Sequence, residues 1–103
     1  MIIVALEFIA RRAEQRKRPA VANLSLGGPC DRNNCRKDPL VLAVEALVAK
    51  GVVSSLSGGN EGADACYGSP NAALTAVVSG TADENDHVPY FSNYGQCIDI
   101  FAP

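Results

Sequence analysis

The sequence predicts a single α/β domain in which helices cover a parallel sheet. Two short, mostly apolar runs, Val21–Leu26 and Val52–Ser57, have the length and composition of buried strands. Each run follows a segment whose apolar residues recur at helical spacing. The order helix, strand, helix, strand is typical of βαβ units and therefore of a parallel sheet. A chain of 103 residues allows one such domain.

The first helix is predicted over residues 2–17. Its apolar residues at helical spacing are Ile2, Ala5, Leu6, Ile9, Ala10 and Ala13. Basic residues gather toward its C-terminal end, where cations interact favourably with the helix dipole, and Pro19 ends it. We interpret this basic run as a solvated helix end, because a nucleic-acid site would favour interleaved aromatic residues and a basic domain.

A second helix is predicted to begin at Asp38 and Pro39. Aspartate is a favourable N-cap residue, and proline suits the first helical position. The inner face of this helix consists of Leu40, Ala43, Val44, Leu47 and Val48. Gly51 provides the stop directly after Lys50.

Two further strands are predicted in the second half of the chain, at Thr75–Gly80 and Cys97–Ala102. The acidic segment Asp83–Asp86 lies between them and is predicted to be a turn. The last strand runs directly into Pro103, and we expect further structure to follow it.

Composition and charge exclude several classes of protein. With 48% hydrophobic and 19% charged residues, the chain can bury a core. No apolar run is long enough for a membrane span. The net charge of −2 is unevenly divided, since residues 1–37 are basic and residues 38–103 are acidic. No glycine-rich phosphate-binding motif is present, so nucleotide binding is not predicted.

The ends of the first two strands are rich in glycine. Ser25-Leu26-Gly27-Gly28 ends the first strand, and Ser57-Gly58-Gly59-Asn60 ends the second. Ligands of open parallel sheets bind at the carboxyl ends of the strands, and glycine lets another backbone approach closely. Taken alone, however, either segment is better explained as a turn between a strand and a loop.

Together, these segments resemble the subtilisin-like serine proteases. The run Val21–Gly28 resembles the substrate-binding strand of that family. The run Ser57–Asn60 resembles its oxyanion segment, in which two alanines usually stand at the positions of Ser57 and Gly58. Four further segments are similar to the proteinase K branch: Ala63–Ala65, Ser69-Pro70, Phe91–Gly95 and Asp99–Pro103. The resemblance covers nearly the whole chain, in order and in spacing.

The resemblance implies a three-layer, subtilisin-like α/β fold, of which residues 1–103 would be the incomplete central part. It implies a catalytic role for Asn60 as the side-chain donor to the oxyanion. It also implies two walls of a substrate-binding pocket, formed by Ser25, Leu26 and Gly27 and by Ser57, Gly58 and Gly59. The expected partner is a peptide or protein substrate that pairs with the Ser25–Gly27 backbone as an added strand.

The family's catalytic Asp, His and Ser have no matching motif in this chain. Neither the His-Gly-Thr-like motif nor Gly-Thr-Ser-Met-Ala occurs, and the single histidine, His87, lies in an acidic turn-like stretch. We therefore expect a longer parent to be a serine endopeptidase and the 103-residue chain alone to hydrolyse no peptide. The alternative is a non-catalytic pseudoprotease or peptide-binding module with the same fold.

The four cysteines fall into two groups. Cys66 and Cys97 resemble a bridged pair of related secreted subtilases. Cys30 and Cys35 share one short loop and are the second candidate pair for a disulfide. Free buried thiols are the alternative, and the absence of a Cys-x-x-Cys pair argues against zinc. Cysteine usage and the family together predict a secreted protein or one in the vacuolar or endomembrane lumen.

No cofactor is expected to be required for catalysis. By resemblance, the Asp99 carboxylate and the carbonyls of Leu74 and Ala76 would form a structural calcium site, since calcium takes oxygen ligands. The alternative is that Asp99 caps a loop or faces solvent.

Overall fold

Helices and strands follow one another in the order that the apolar spacing predicts. The computed structural model describes residues 1–103. Its elements are α1 (Ile2–Arg16), β1 (Ala20–Leu24), β2 (Gly28–Pro29), α2 (Pro39–Ala49), β3 (Val52–Ser57), β4 (Gly68–Ser69), β5 (Val77–Thr81) and β6 (Ile100–Ala102). Short 3₁₀ turns occur at Cys35–Lys37 and Ala65–Tyr67. Neither α-helix has the length and apolar character needed to cross a membrane.

Four strands form one parallel sheet in the order β1, β3, β5, β6. At its centre, Leu56 pairs with Leu24 on one side and with Val78 on the other. The predicted α/β class and parallel sheet are therefore confirmed. The short strands β2 and β4 form an additional antiparallel pair, which was not predicted because two-residue strands carry no apolar periodicity.

The predicted start and end of the second helix are confirmed at α2. The Asp38 carboxylate accepts a hydrogen bond from the Leu40 amide at 3.0 Å, and Pro39 is the first helical residue. The same carboxylate accepts from the Ser69 hydroxyl at 2.6 Å, which ties the helix start to β4. Gly51 follows the helix with a φ of 87°, a left-handed conformation that suits glycine at a helix end.

The first helix packs mainly against α2. It ends at Arg16, and Lys17 adopts a left-handed conformation as its C-cap. Leu6 is its one fully buried residue. On the surface, Lys50 Nζ lies 2.8 Å from Glu14 Oε1, and this hydrogen bond, together with the charge of Glu14, raises the pKa of Lys50.

Two strands are shorter than the sequence predicts. β1 ends at Leu24 and not at Leu26, because its pairing with β3 stops there. β6 begins at Ile100 and not at Cys97, which forms a disulfide with Cys66 ahead of the strand. In both cases, the mostly apolar run in the sequence is longer than the segment whose backbone pairs with a neighbouring strand.

β5 spans Val77–Thr81 where the sequence predicts Thr75–Gly80. The reason is Glu45 of α2, whose carboxylate accepts hydrogen bonds from the amides of Leu74 (2.6 Å) and Thr75 (3.4 Å). The Thr75 hydroxyl also donates to this carboxylate. These bonds hold the residues before β5 in a turn against the helix.

The sheet buries one face against α2 and exposes the other. The core of strands and helices contains Leu6, Ala22, Leu24, Val41, Val44, Leu47, Val52, Leu56 and Val78. On the opposite face, the side chains of Val21, Val53, Val77 and Ile100 lie on neighbouring strands and are 72%, 54%, 43% and 54% exposed. We call these four residues the open sheet face. A third layer on this face would complete the three-layer arrangement that the resemblance implies.

Candidate functional site

The carboxyl ends of β1 and β3 border a cavity of about 740 Å³. Because the two strands are adjacent and parallel, the residues that follow them meet at one edge of the sheet. Six of the seven residues singled out from the sequence line this cavity: Ser25, Leu26, Gly27, Ser57, Gly59 and Asn60. The structure therefore brings both glycine-rich strand ends to one site.

Gly58, the seventh residue, is buried behind the cavity wall. Its amide donates to the Ser79 carbonyl at 2.7 Å, which extends the pairing of β3 with β5. A Cβ atom at this position would lie 2.8 Å from the same carbonyl oxygen. Because that oxygen belongs to the backbone of β5, moving it would disturb the strand. Glycine is required here by the close approach of β5.

Asn60 is exposed at the cavity, directly after Gly59. Gly59 has a φ of 94°, so the chain turns sharply at the end of the strand. The Asn60 side chain makes no hydrogen bond within the chain, whereas the amides of Glu61, Gly62 and Ala63 after it are paired. Both of its N–H donors are therefore available at the cavity.

Asn93 holds the loop that carries Asn60. Its Nδ2 donates to the Gly58 carbonyl at 2.9 Å. Its Oδ1 accepts from the amides of Glu61 at 3.1 Å and Ala63 at 2.9 Å. A single buried side chain thus binds the loop on both sides of Asn60. The sequence contains this residue in the Phe91–Gly95 motif, but the motif gave no indication of the contacts.

Asn71 binds the same loop from another direction. Its Nδ2 donates to the Gly58 carbonyl at 2.6 Å, so this oxygen accepts from two asparagines. Its Oδ1 is buried without any hydrogen-bond partner. Asn71 is 4% exposed, and no pattern in the sequence distinguished it from an ordinary loop asparagine.

A charged and aromatic rim was also missed from the sequence. Arg32 and Tyr67 line the cavity, and the Arg32 guanidinium carbon lies 5.2 Å from the centre of the Tyr67 ring. Glu61 and Asp64 contribute two carboxylates to the lining. Arg32 lies 29 positions before Glu61 in the sequence, and only the tertiary fold brings it to the other three residues.

Two disulfides fasten the loops around the cavity. Cys66 is bonded to Cys97, and Cys30 is bonded to Cys35, so no cysteine is free. Cys30 itself lines the cavity, beside the rim residue Arg32. Disulfide bonding therefore limits the movement of two of the loops that shape the site.

His87 lies apart from the cavity. Its side chain is 78% exposed, and its Nδ1 lies 3.8 Å from the Asp83 carboxylate. His87 is therefore a surface residue, and it does not line the cavity that contains Asn60.

The cavity lies at the carboxyl edge of a parallel α/β sheet, which is where such folds bind their ligands. The sequence profile of the subtilase family, Peptidase_S8, matches residues 3–103. The chain belongs to the subtilase family.

Known proteins of similar sequence include fungal proteinases. The chain is 41% identical over 103 residues to the subtilase-type proteinase isp6 of Schizosaccharomyces pombe and covers 21% of its length. It is 49% identical over 84 residues to the subtilisin-like serine protease Pen c 2 of Penicillium citrinum, covering 82% of this chain and 17% of that protein. The chain therefore spans about a fifth of the length of these relatives.

A solved structure confirms the fold. A cold-adapted subtilisin-like serine proteinase superimposes with a TM-score of 0.85 and 36% sequence identity. The match covers 99% of this chain and 34% of that one. The fold is thus the subtilisin-like α/β fold over the whole length of the chain, and the sequence-based recognition of the family is correct.

Proposed function

We propose that residues 1–103 form the substrate-binding centre of a longer serine endopeptidase. The observation that carries the proposal is the exposed, unpaired amide of Asn60 at the carboxyl edge of the sheet. Membership of the subtilase family supports peptide-bond hydrolysis as the reaction of the longer protein. Other segments of that protein would supply the nucleophile, the histidine and the aspartate.

The position of β1 supports binding of an extended peptide. β1 ends at Leu24, so the backbone of the residues that follow it is no longer paired with β3. Ser25, Leu26 and Gly27 continue from it along the cavity. A substrate strand added there would be held by main-chain hydrogen bonds, while Ser57 and Gly59 would face the side chain that precedes the cleaved bond.

Asn60 would act on the transition state. Attack on a peptide carbonyl places negative charge on its oxygen, and a fixed amide donor stabilises that charge more than it stabilises the resting carbonyl. An amide NH₂ that makes no other hydrogen bond can donate without first breaking a contact. We therefore assign Asn60 as the side-chain oxyanion donor.

The test is steady-state kinetics of Asn60→Ala and Asn60→Leu in the full-length proteinase. We expect kcat to fall by about 10²–10³ with little change in KM, a magnitude measured for the corresponding change in a subtilisin. Circular dichroism and thermal unfolding should match the unmodified protein, because the exposed Asn60 side chain makes no internal hydrogen bond that the substitution would remove. A kcat within about threefold of the unmodified enzyme would show that Asn60 only forms a turn.

A peptide-binding pseudoprotease is the second candidate, because this segment lacks the catalytic triad motifs. The full reading frame distinguishes the two, since it either encodes the upstream Asp and His motifs and the downstream Ser motif or does not. A serine-directed phosphonate adds a chemical test. Covalent labelling of the full-length protein supports the enzyme, whereas peptide binding without labelling supports the pseudoprotease.

We also propose a structural calcium ion at the other edge of the sheet. Leu74 and Ala76 precede β5, and Asp99 precedes the adjacent strand β6. One Asp99 oxygen accepts from the Val78 amide at 2.8 Å, and no loop or turn amide donates to the carbonyls of Leu74 or Ala76. This set of oxygens fits calcium in type. No group of three or more His, Cys, Asp and Glu side chains is arranged to hold a metal ion, so backbone carbonyls would have to contribute.

Chelation tests the calcium proposal. We expect EDTA to lower the Tm of the full-length proteinase and calcium, but not magnesium, to restore it, because an ion bound to the folded state stabilises that state. Asp99→Asn should weaken the calcium response. An Asp99→Asn protein that responds to EDTA as strongly as the unmodified protein would exclude this residue from the site.

We further propose that the protein works in an oxidising compartment, either outside the cell or in a vacuolar lumen. Two disulfides in 103 residues support this, since disulfides persist where thiols are not kept reduced. The fungal subtilisin-like relatives are consistent with it.

A further inference from the structure

We propose that Asn71 and Asn93 form an amide clamp that positions Asn60, so that both are positioning residues for the oxyanion donor. The inference rests on the oxyanion role proposed for Asn60. We define the clamp as these two buried side chains together with the Gly58 carbonyl, to which both donate.

The Gly58 carbonyl accepts hydrogen bonds from both asparagine side chains. The Gly58 oxygen lies 2.6 Å from Asn71 Nδ2 and 2.9 Å from Asn93 Nδ2. On the other side of the same residue, the Gly58 amide donates to the Ser79 carbonyl at 2.7 Å. Gly58 is thus fixed at both its amide and its carbonyl, two residues before Asn60.

Asn93 also holds the backbone that follows Asn60. Its Oδ1 accepts from the amides of Glu61 and Ala63, and its backbone amide donates to the Gly59 carbonyl at 3.2 Å. Asn60 is therefore the exposed tip of a short loop whose flanks are bound to one side chain. Such an arrangement keeps Asn60 in place although its own side chain makes no hydrogen bond.

Burial of the Asn71 side chain is energetically unfavourable, because one of its polar atoms is left unpaired. Its Oδ1 has no hydrogen-bond partner, and an unpaired buried acceptor is unfavourable. The side chain also packs tightly below the cavity: a Cβ atom on Gly27 would lie 3.2 Å from Oδ1, and one on Gly68 would lie 3.2 Å from Nδ2. Asn71 thus lies close to Gly27, which follows β1, while it donates a hydrogen bond to Gly58, which follows β3. A residue that served stability alone would be better replaced by an apolar one.

This cost allows stability and activity to be separated. Asn71→Leu keeps the shape of the side chain, removes the unpaired acceptor and removes the donor to Gly58. We expect the Tm to stay within a few degrees, while kcat falls by about tenfold at unchanged KM because the loop is held less firmly. A residue with a purely structural role would lower Tm and leave kcat unchanged below the Tm.

Asn93→Asp is the second variant. It keeps an acceptor for the Glu61 and Ala63 amides. In place of the Nδ2 donor it sets an oxygen against the Gly58 carbonyl and against the Glu61 carboxylate, to which Nδ2 also donates at 2.7 Å. We expect a loss of kcat greater than for Asn71→Leu. Ser54→Ala serves as the matched control, because Ser54 is a buried polar residue of β3 that does not contact the loop. It should leave kcat unchanged.

The deciding experiment is a double-mutant cycle in the full-length proteinase, with each clamp variant made alone and together with Asn60→Ala. If the clamp acts through Asn60, Asn71→Leu and Asn93→Asp will change kcat by less than about twofold once Asn60 is absent. Equal losses with and without Asn60, or no loss in either single variant, overturn the clamp. Unchanged kcat in Asn60→Ala instead overturns the oxyanion assignment, and the clamp with it. If Asn93→Asp does not fold, Asn71→Leu decides alone.

Discussion

At the scale of single residues, the site depends on positions where only glycine fits. Gly59 has a φ of 94°, and a Cβ atom there would overlap the Asn93 amide nitrogen. Gly51, at the end of α2, has a similar φ of 87° but no atom near the position of such a Cβ. Both residues need a positive φ, which favours glycine, but only at Gly59 would a side chain also collide with a neighbouring atom.

We predict that Gly59→Ala destabilises the full-length protein more than Gly51→Ala does. Both substitutions incur the left-handed backbone cost of about 1–2 kcal/mol. Gly59→Ala adds an overlap worth about 1–3 kcal/mol and displaces Asn93, so kcat should also fall. The measurements are denaturant unfolding and kcat. Equal losses of stability would show that the loop accommodates the methyl group by moving.

At the scale of elements, the loops around the cavity are held by covalent bonds as well as hydrogen bonds. The Cys66–Cys97 bridge joins residues 31 apart in sequence, whereas Cys30–Cys35 joins residues 5 apart. In the chain-entropy model, a longer closed loop restricts the unfolded state more and so stabilises the folded state more. The two bridges should therefore differ in their effect on stability.

We predict that replacing both Cys66 and Cys97 with serine lowers the free energy of unfolding by about 3–4 kcal/mol. The same change at Cys30 and Cys35 should cost about 2 kcal/mol. Non-reducing peptide mapping checks the pairing, and denaturant unfolding compares the two variants. Alkylation of Cys66 in the native, unreduced protein would contradict the pairing. A larger loss from the short loop would contradict the entropic explanation.

At the scale of the whole molecule, the sheet has an uncovered apolar face, the open sheet face. Val21 and Val53 pair directly on neighbouring strands and are more than half exposed. Contiguous apolar surface of this kind is normally covered in soluble proteins. The solved subtilisin-like structure is about three times as long as this chain and has room for such a layer.

We predict that the isolated 103-residue chain hydrolyses no peptide and associates through the open sheet face. Assays are turnover of a mixed peptide library, size-exclusion chromatography with light scattering, and binding of an apolar dye. Val21→Thr with Val53→Thr should reduce both association and dye binding, because threonine keeps the β-branched shape and adds a hydroxyl. Turnover that survives repurification, and that a substitution in this chain abolishes, would contradict the first part. A monomer that binds no dye would contradict the second.

The local elements could be predicted because their signals lie within a few residues of one another. Asp38, Pro39 and Gly51 specify the start and end of α2 by capping and by backbone conformation, and the structure confirms all three. The strand ends were less accurate, since they depend on partners elsewhere. The carboxylate of Glu45 in α2 binds the amides of Leu74 and Thr75, so β5 begins later than predicted. No residue near Leu74 and Thr75 in the sequence indicates this contact.

By itself, the sequence determined the α/β class, the family and the two glycine-rich strand ends, because each depends on short motifs and on their order along the chain. The tertiary structure alone decided what surrounds Asn60. Asn71 and Asn93 are separated from Gly58 by 13 and 35 positions, yet both donate to its carbonyl. A hydrogen bond requires atoms within about 3 Å of one another, whatever their distance along the chain. Only the packing of β3 against β5 and the loops beyond it brings those atoms together.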